Sequence, residues 1–258
     1  MKLLISEVKE RILFLTLNRP EVRNALNHEL ISCILRELKK YEKNSHVRAL
    51  VLKGSGDIFC SGGDIQWLKE LGRAPKKKNL LASKHLENLF FTLNKYPKPV
   101  LGLVQGAALG GGFGLVSVCD YVIAEKNTVF SLSELRIGIV PSVILPFVLS
   151  KIGESHTRAL MLTGQKWSAS VAQSFGLIHE IAQTYEEMES CAQAGIENFL
   201  KSGPQACKLA KSLIQDVKII HGQTLRRKLI RILAEVRATR EAQEGFSAFL
   251  NKQSPRWL

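Results

Sequence analysis

The stretch Gln105-Gly106-Ala107-Ala108-Leu109-Gly110-Gly111-Gly112-Phe113-Gly114-Leu115 places three consecutive glycines between an apolar run that reads as a strand and one that reads as a helix. Packing does not need such a triplet. It lets a backbone come very close to a ligand and leaves N–H groups free at a helix start, where partial positive charge collects. That chemistry suits an oxygen that becomes negative during a reaction. Two further segments accompany it: Phe59-Cys60-Ser61-Gly62-Gly63-Asp64 upstream and Phe130-Ser131-Leu132-Ser133-Glu134 downstream. The second supplies a carboxyl group, and burial among Phe130, Leu132, Leu135 and Ile137 would raise its pKa toward the range useful for moving protons. On the residues alone, Glu134 could equally be a helix-start acid accepting backbone N–H groups, and the glycines could be tight turns.

Other chemistries find little footing. The five cysteines (Cys33, Cys60, Cys119, Cys191, Cys207) form no CxxC pair, and His28, His46, His85, His156, His179 and His221 show no HExxH-like spacing, so no metal site is expected. No histidine is placed in sequence to activate Cys60. His85 reads as a solvent-facing side chain, and Asp120 as a structural acid capping the strand that follows it. The dinucleotide fingerprint G-x-G-x-x-G is absent at the first strand–helix turn.

Read in order, Asn18-Arg19-Pro20, Asn24-Ala25-Leu26, F-C-S-G-G-D, Q-G-A-A-L-G-G-G and S-E-L-R-I-G-I resemble the crotonase superfamily of acyl-CoA enzymes. The resemblance implies an α/β fold, the stacked ββα spiral of crotonases, with C-terminal helices that cover the site and join subunits. It implies that the backbone N–H groups of Gly63 and Gly111 hold a thioester enolate oxygen and that Glu134 moves water and proton. Coenzyme A would lie along Arg23, Ala25, Ser61, Gly62, Asp64, Ile65 and Leu109. Phe249 and Lys252 would cover the nucleotide, often that of a neighbouring subunit, although Phe249 could as well be a core residue. The acyl-CoA is the substrate and no further cofactor is implied. A homotrimer or a dimer of trimers is expected.

The sequence departs from the family at one telling place. Typical enoyl-CoA hydratases carry a second glutamate in G-G-G-x-E, where this chain has Gly114. An enoyl-CoA hydratase whose substrate or another side chain supplies the missing polar group, an isomerase working with Glu134 alone, and a noncatalytic acyl-CoA- or RNA-binding homologue all remain open. The run from Leu132 to Val148 and Gly114 itself resemble bacterial hydratases of branched glutaconyl-CoA esters. A distal substrate carboxylate could then occupy room left by Gly114, with Arg136 as a possible partner.

The elements that would position these groups follow from periodicity. Residues 3–8 and 11–17 suggest a hairpin at a sheet edge. Asn27 to Lys43 is helical, with Leu30, Ile34, Leu38 and Tyr41 on one face and Asn27 as N-cap. Val47 to Lys53 and Val100 to Val104 are buried strands, Ile65 to Leu71 starts a helix, Gly72 to Asn79 reads as a mobile loop, and Leu80 to Leu93 is helical. Alternation of apolar strands and helices implies a parallel sheet with covered faces. Helices then dominate over Tyr185 to Leu200, Pro204 to His221 and Gln223 to Ala238. A spiral core over 1–195 and a helical cover over 196–258 are expected.

At 258 residues with 45% apolar content the chain can bury a large core. No apolar run reaches a membrane span, no signal peptide is evident, and the unpaired cysteines suit the cytoplasm. The net charge of +13 fits a polyanionic ligand such as coenzyme A, or a solubility bias spread over helix faces. Lys76-Lys77-Lys78 and Arg226-Arg227-Lys228 lack the interleaved aromatics of a nucleic-acid platform, so a nucleic-acid partner is not expected.

Overall fold

The computed structural model describes residues 2–258. Strands β1 (Leu4–Lys9) and β2 (Ile12–Leu17) form an antiparallel hairpin. Its two-residue turn, Glu10-Arg11, has φ of 48° and 68°, the left-handed pair that matches strand twist. Strands β3 (Ala49–Gly54) and β4 (Val100–Val104) extend this sheet in parallel. Beyond β5 (Ala107–Leu109), β6 (Tyr121–Glu125), β7 (Val129–Ser131), β8 (Trp167–Ser168) and β9 (Glu180–Ala182) complete the strands. The large sheet runs β1-β2-β3-β4-β6-β9, and β5-β7-β8 makes a small second sheet.

Both faces of the large sheet are covered, as near-continuous apolar strands require. Leu50 and Leu52 of β3 point into the larger core, while Ala49 and Val51 point into a second one. The larger core receives α1 (His28–Glu42) and α3 (Lys76–Asn94), together with α4 (Gly111–Ser117) and α5 (Leu145–Thr163). Asn27 caps α1 by accepting from Leu30 N at 2.9 Å, and Leu30, Ile34 and Leu38 are its buried face. The second core is closed by Met188, Ala192 and Ile196 of α7 (Tyr185–Lys201). Residues 195 and 196 both lie within α7, which packs on the sheet and ends at Lys201.

The expected loop over Gly72 to Asn79 is mostly helix. The nine residues of α2 (Ile65–Arg73) end at Ala74, and α3 begins at Lys76 with Pro75 just ahead of it. Proline is compatible with a helix start and lysine is a good helix former, so the break shrinks to two residues. After α6 (Ala169–Ser174) and α7 come α8 (Pro204–Ile219), α9 (Gly222–Arg237) and α10 (Arg240–Leu250); α8 and α9 bury no residue. The tail is tied back by buried Arg48, which donates to Ser202 O at 2.6 Å and to Trp257 O at 3.0 Å. Arg11 donates to the same Trp257 carbonyl at 3.0 Å. No helix among the described residues is long and apolar enough to cross a membrane.

Candidate active site

Two glycine pairs and one carboxyl group converge. The segment Cys60–Gly63 lies between Leu26 and β5, with parallel bridges Leu26↔Gly63 and Cys60↔Ala108. Leu26 N donates to Gly62 O at 2.7 Å, Asp64 N to Leu26 O at 2.9 Å, and Leu109 N to Cys60 O at 3.0 Å. Between these bonds the N–H of Gly63 donates to no backbone carbonyl among the described residues. Gly111 opens α4, whose first closing bond runs from Gly114 N to Gly110 O at 3.0 Å, so its own N–H has no intrahelical acceptor. A Cβ on Gly62 would stand 3.4 Å from Gly111 N, which means the two glycine pairs touch.

Gly110 makes room for the acid. Its φ of 50° and ψ of −116° favour glycine, and a Cβ there would meet Glu134 Oε1 at 2.7 Å. The Glu134 carboxyl thus lies against the turn that presents Gly111. Glu134 begins a one-turn 3-10 helix (Glu134–Ile137), yet its side chain caps nothing: Oε2 is buried without a hydrogen-bond partner. Burial pushes its pKa above the usual carboxylate value, opposed in part by a backbone hydrogen bond. A carboxyl group with one oxygen buried and unpartnered costs stability, and such groups cluster at sites where protons are handled.

Gly63, Gly111 and Glu134 line one cavity of about 320 Å³. Its walls are apolar, built from Trp67, Leu68 and Leu71 of α2, Leu86 and Phe90 of α3, and Val140, Val143 and Ile144 ahead of α5. Asn79, Ser83 and Ser142 add polar groups, and no lysine or arginine takes part.

The space beside Gly114 is filled. A Cβ there would lie 2.5 Å from Ile144 Cγ2 and 2.9 Å from Phe90 Cε1, so the expected room for a substrate carboxylate does not exist. Arg136 points elsewhere, donating to Thr163 O at 3.3 Å and packing on Gly164.

The remaining predicted residues divide. Ser61 is joined to Arg23 by a bond from Ser61 N to Arg23 O at 3.0 Å, and Ala25 and Gly62 are buried beside them. Arg23 and Ile65 are exposed at the same edge. Leu109 lies under Gly62, its carbonyl 3.0 Å from where a Cβ would be. The Asp64 carboxyl is structural: one oxygen accepts from Gln66 N at 3.1 Å to cap α2, the other pairs with Arg19 at 2.9 Å. Phe249 and Lys252 do not line the cavity of their own chain. Phe249 is 84% exposed, so it is not a core residue.

Two residues absent from the predicted set hold this edge in place. Arg19 also donates to Ala25 O at 2.6 Å, and buried Asn24, at φ 55°, donates to Ser55 O and Ile58 O at 2.8 and 2.7 Å. The signal was in the Asn-Arg-Pro and Asn-Ala-Leu motifs, where asparagine tolerates the left-handed region. His85 is half-buried rather than solvent-facing: it meets Ser32 Oγ at 3.0 Å and packs on the His28 ring, 4.5 Å between centroids. Burial pushes the Cys60 thiol up to about 12, which leaves it unreactive. Asp120 is structural, but it accepts from Val100 N of the neighbouring β4 at 2.7 Å and pairs with Lys211 of α8.

The sequence profile described as enoyl-CoA hydratase/isomerase matches residues 7–258. The chain is 31% identical to the 2,3-dehydroadipyl-CoA hydratase of Escherichia coli over 261 residues, covering 99% of this chain and 98% of that one. Among solved structures, an enoyl-CoA hydratase from Shewanella pealeana superposes with a TM-score of 0.95 at 31% identity, covering 99% of this chain and 96% of its own. AtuE of Pseudomonas aeruginosa gives 0.96 at 32% identity, covering 99% of both chains. With these matches spanning almost its whole length, the chain is an enzyme of the enoyl-CoA hydratase/isomerase family and has the crotonase fold.

Proposed function

We propose that this protein adds water reversibly across the double bond of a 2-enoyl-CoA whose acyl group is apolar, branched chains included. The observation that carries the proposal is the buried, unpartnered Oε2 of Glu134, which lines the same apolar cavity as Gly63 and Gly111. The thioester oxygen would sit between the two N–H groups, which stabilise the enolate as it forms; one such donor is worth about 3–4 kcal/mol of barrier in related sites. Glu134 takes a proton from water as the oxygen bonds to C3, then returns that proton to C2. One carboxyl group suffices for this balance, and Phe90 and Ile144 occupy the place where a second would stand. The E. coli relative's name points to a dicarboxylic substrate, but the absence of lysine and arginine from the lining favours an apolar acyl chain here.

A single carboxyl group also supports an isomerase, which removes a proton from C4 of a 3-enoyl-CoA and returns it to C2. Exposed Ile219, Ile230, Leu233, Phe249 and Leu250 on or beside the C-terminal helices support assembly into trimers or dimers of trimers, with Phe249 and Lys252 facing a neighbour's nucleotide. Mass spectrometry of products from crotonyl-CoA, a 3-enoyl-CoA and 3-methylglutaconyl-CoA in isotopically heavy water tests the reading. Hydration adds one labelled water. A shifted double bond without added water would make the protein an isomerase. Turnover undiminished in Glu134→Gln would remove Glu134 from the chemistry; a loss of about a hundredfold or more is expected.

A further inference from the structure

A second cavity, of about 360 Å³, adjoins the first. Trp67 and Leu71 of α2 and Ala82 of α3 line both, so these three side chains form a shared wall. The far side opens to solvent among the exposed His28, Glu29, Glu70, Lys78 and Leu81, so only the part against Leu71 and Ala82 is apolar. Trp67 supplies most of the bulk of this wall. It stands in the first turn of α2, directly after the Asp64 cap and the Gly63 N–H, and hence close to where the thioester would be held. The wall is weakly anchored: Leu71 is the single buried residue of α2, and α3 begins without a side-chain cap.

We propose that the Trp67 indole is the partition that sets the acyl-chain length this site accepts, and that the second cavity takes the tail of a longer linear chain once the indole is removed. The inference rests on the acyl-CoA reading above. A chain that outgrows the first cavity meets Trp67; its next methylenes must stay in water or displace the indole, and either way they gain no burial. Discrimination by one methylene in an apolar pocket runs from about 10-fold upward. Without the indole, the two cavities join and the added methylenes are buried between Leu71 and Ala82.

The test compares kcat/KM across linear 2-enoyl-CoAs from crotonyl to hexadecenoyl. Wild type should show a break at a defined chain length. Trp67→Ala should raise the ratio of decenoyl to crotonyl turnover by about tenfold or more. Adding Leu81→Trp, which adds bulk at a residue that lines the second cavity and not the first, should cancel that gain. Trp67→Leu serves if the alanine variant does not fold. A wild-type profile without a break, an unchanged ratio, or a gain that survives Leu81→Trp would each overturn the proposal. If wild type converts no 2-enoyl-CoA, the functional reading fails by itself. Calorimetric binding of butyryl- and decanoyl-CoA then decides the partition: a selective gain for decanoyl-CoA in Trp67→Ala upholds it, and equal gains overturn it.

Discussion

Replacing Gly114 by alanine should weaken the fold and narrow the catalytic cavity at once. The new methyl would start 2.5 Å from Ile144 Cγ2 and 2.9 Å from Phe90 Cε1, where the optimum between carbons is about 3.5–4.0 Å. Neither neighbour can retreat into solvent, since both are buried. Overpacking of this kind costs about 1–3 kcal/mol. Alanine regains about 1 kcal/mol over glycine in a helix. With two close contacts the upper part of the range applies, so the net loss should be about 1–2 kcal/mol. For a chain of this size that lowers Tm by roughly 2–8 °C. Both displaced side chains line the catalytic cavity, so relief pushes them into the acyl site and KM should rise. Urea unfolding of Gly114→Ala, Ile144→Ala and the double variant gives the coupling. Ile144→Ala alone should cost about 2–5 kcal/mol, and the double variant should be less damaged than the sum, because one methyl fills space the other vacates. A Gly114→Ala protein as stable as wild type, with unchanged KM, would refute the packing argument. Gly114→Glu starts from the same Cβ position and should not restore a second carboxylate.

Other consequences can be measured independently. Because burial raises the Glu134 pKa, the native state holds that proton more tightly than the unfolded chain; stability is greatest below the ordinary carboxylate value and falls as pH rises through the raised one. Glu134→Gln should therefore raise Tm at neutral pH while abolishing turnover, and a lowered Tm would contradict this. Burial, with Lys151 nearby, lowers the His179 pKa from 6.5 to about 4, while its Nδ1 accepts from Val122 N at 3.0 Å. The unfolded chain binds the proton first as pH falls, so denaturant midpoints should decline between these values; a flat midpoint in that window would argue against a buried neutral ring. Cys60, with its thiol pushed up to about 12, should resist alkylation at mildly alkaline pH until the protein unfolds. Rapid labelling of native protein at Cys60 would show that the segment opens.

The parts of this molecule that were legible in the sequence are those where a local rule acts. Asn27 announces a helix start, and the hairpin shows as alternation. The glycine pairs stand out in the sequence because they meet a demand of the backbone itself, and Glu134 stands out through its motif; the structure brings Gly63, Gly111 and Glu134 to one cavity. Gly114 marks the limit. The sequence shows that a side chain is missing but not that Phe90 and Ile144, far from it along the chain, close over the place. The Arg19–Asp64 pair, 45 positions apart, was hidden for the same reason. The loop expected at Gly72 to Asn79 is mostly helix because a proline reads alike in a loop and at a helix start, and Pro75 stands at the front of α3.

The Arg48 anchor bears on how the chain comes to be folded. Its guanidinium, at the start of β3, finds one of its acceptors 209 positions further on, at Trp257. A chain still being synthesised could pair its early strands, with water on that cation until the segments around Ser202 and Trp257 arrive to supply its carbonyls. The early strands therefore gain their full stability only when the last helices have arrived. A chain cut short before Trp257 would keep the Leu200 and Ser202 carbonyls on Arg48 but lose the one carbonyl that Arg11 and Arg48 share, so the last residues tighten a sheet that is already paired.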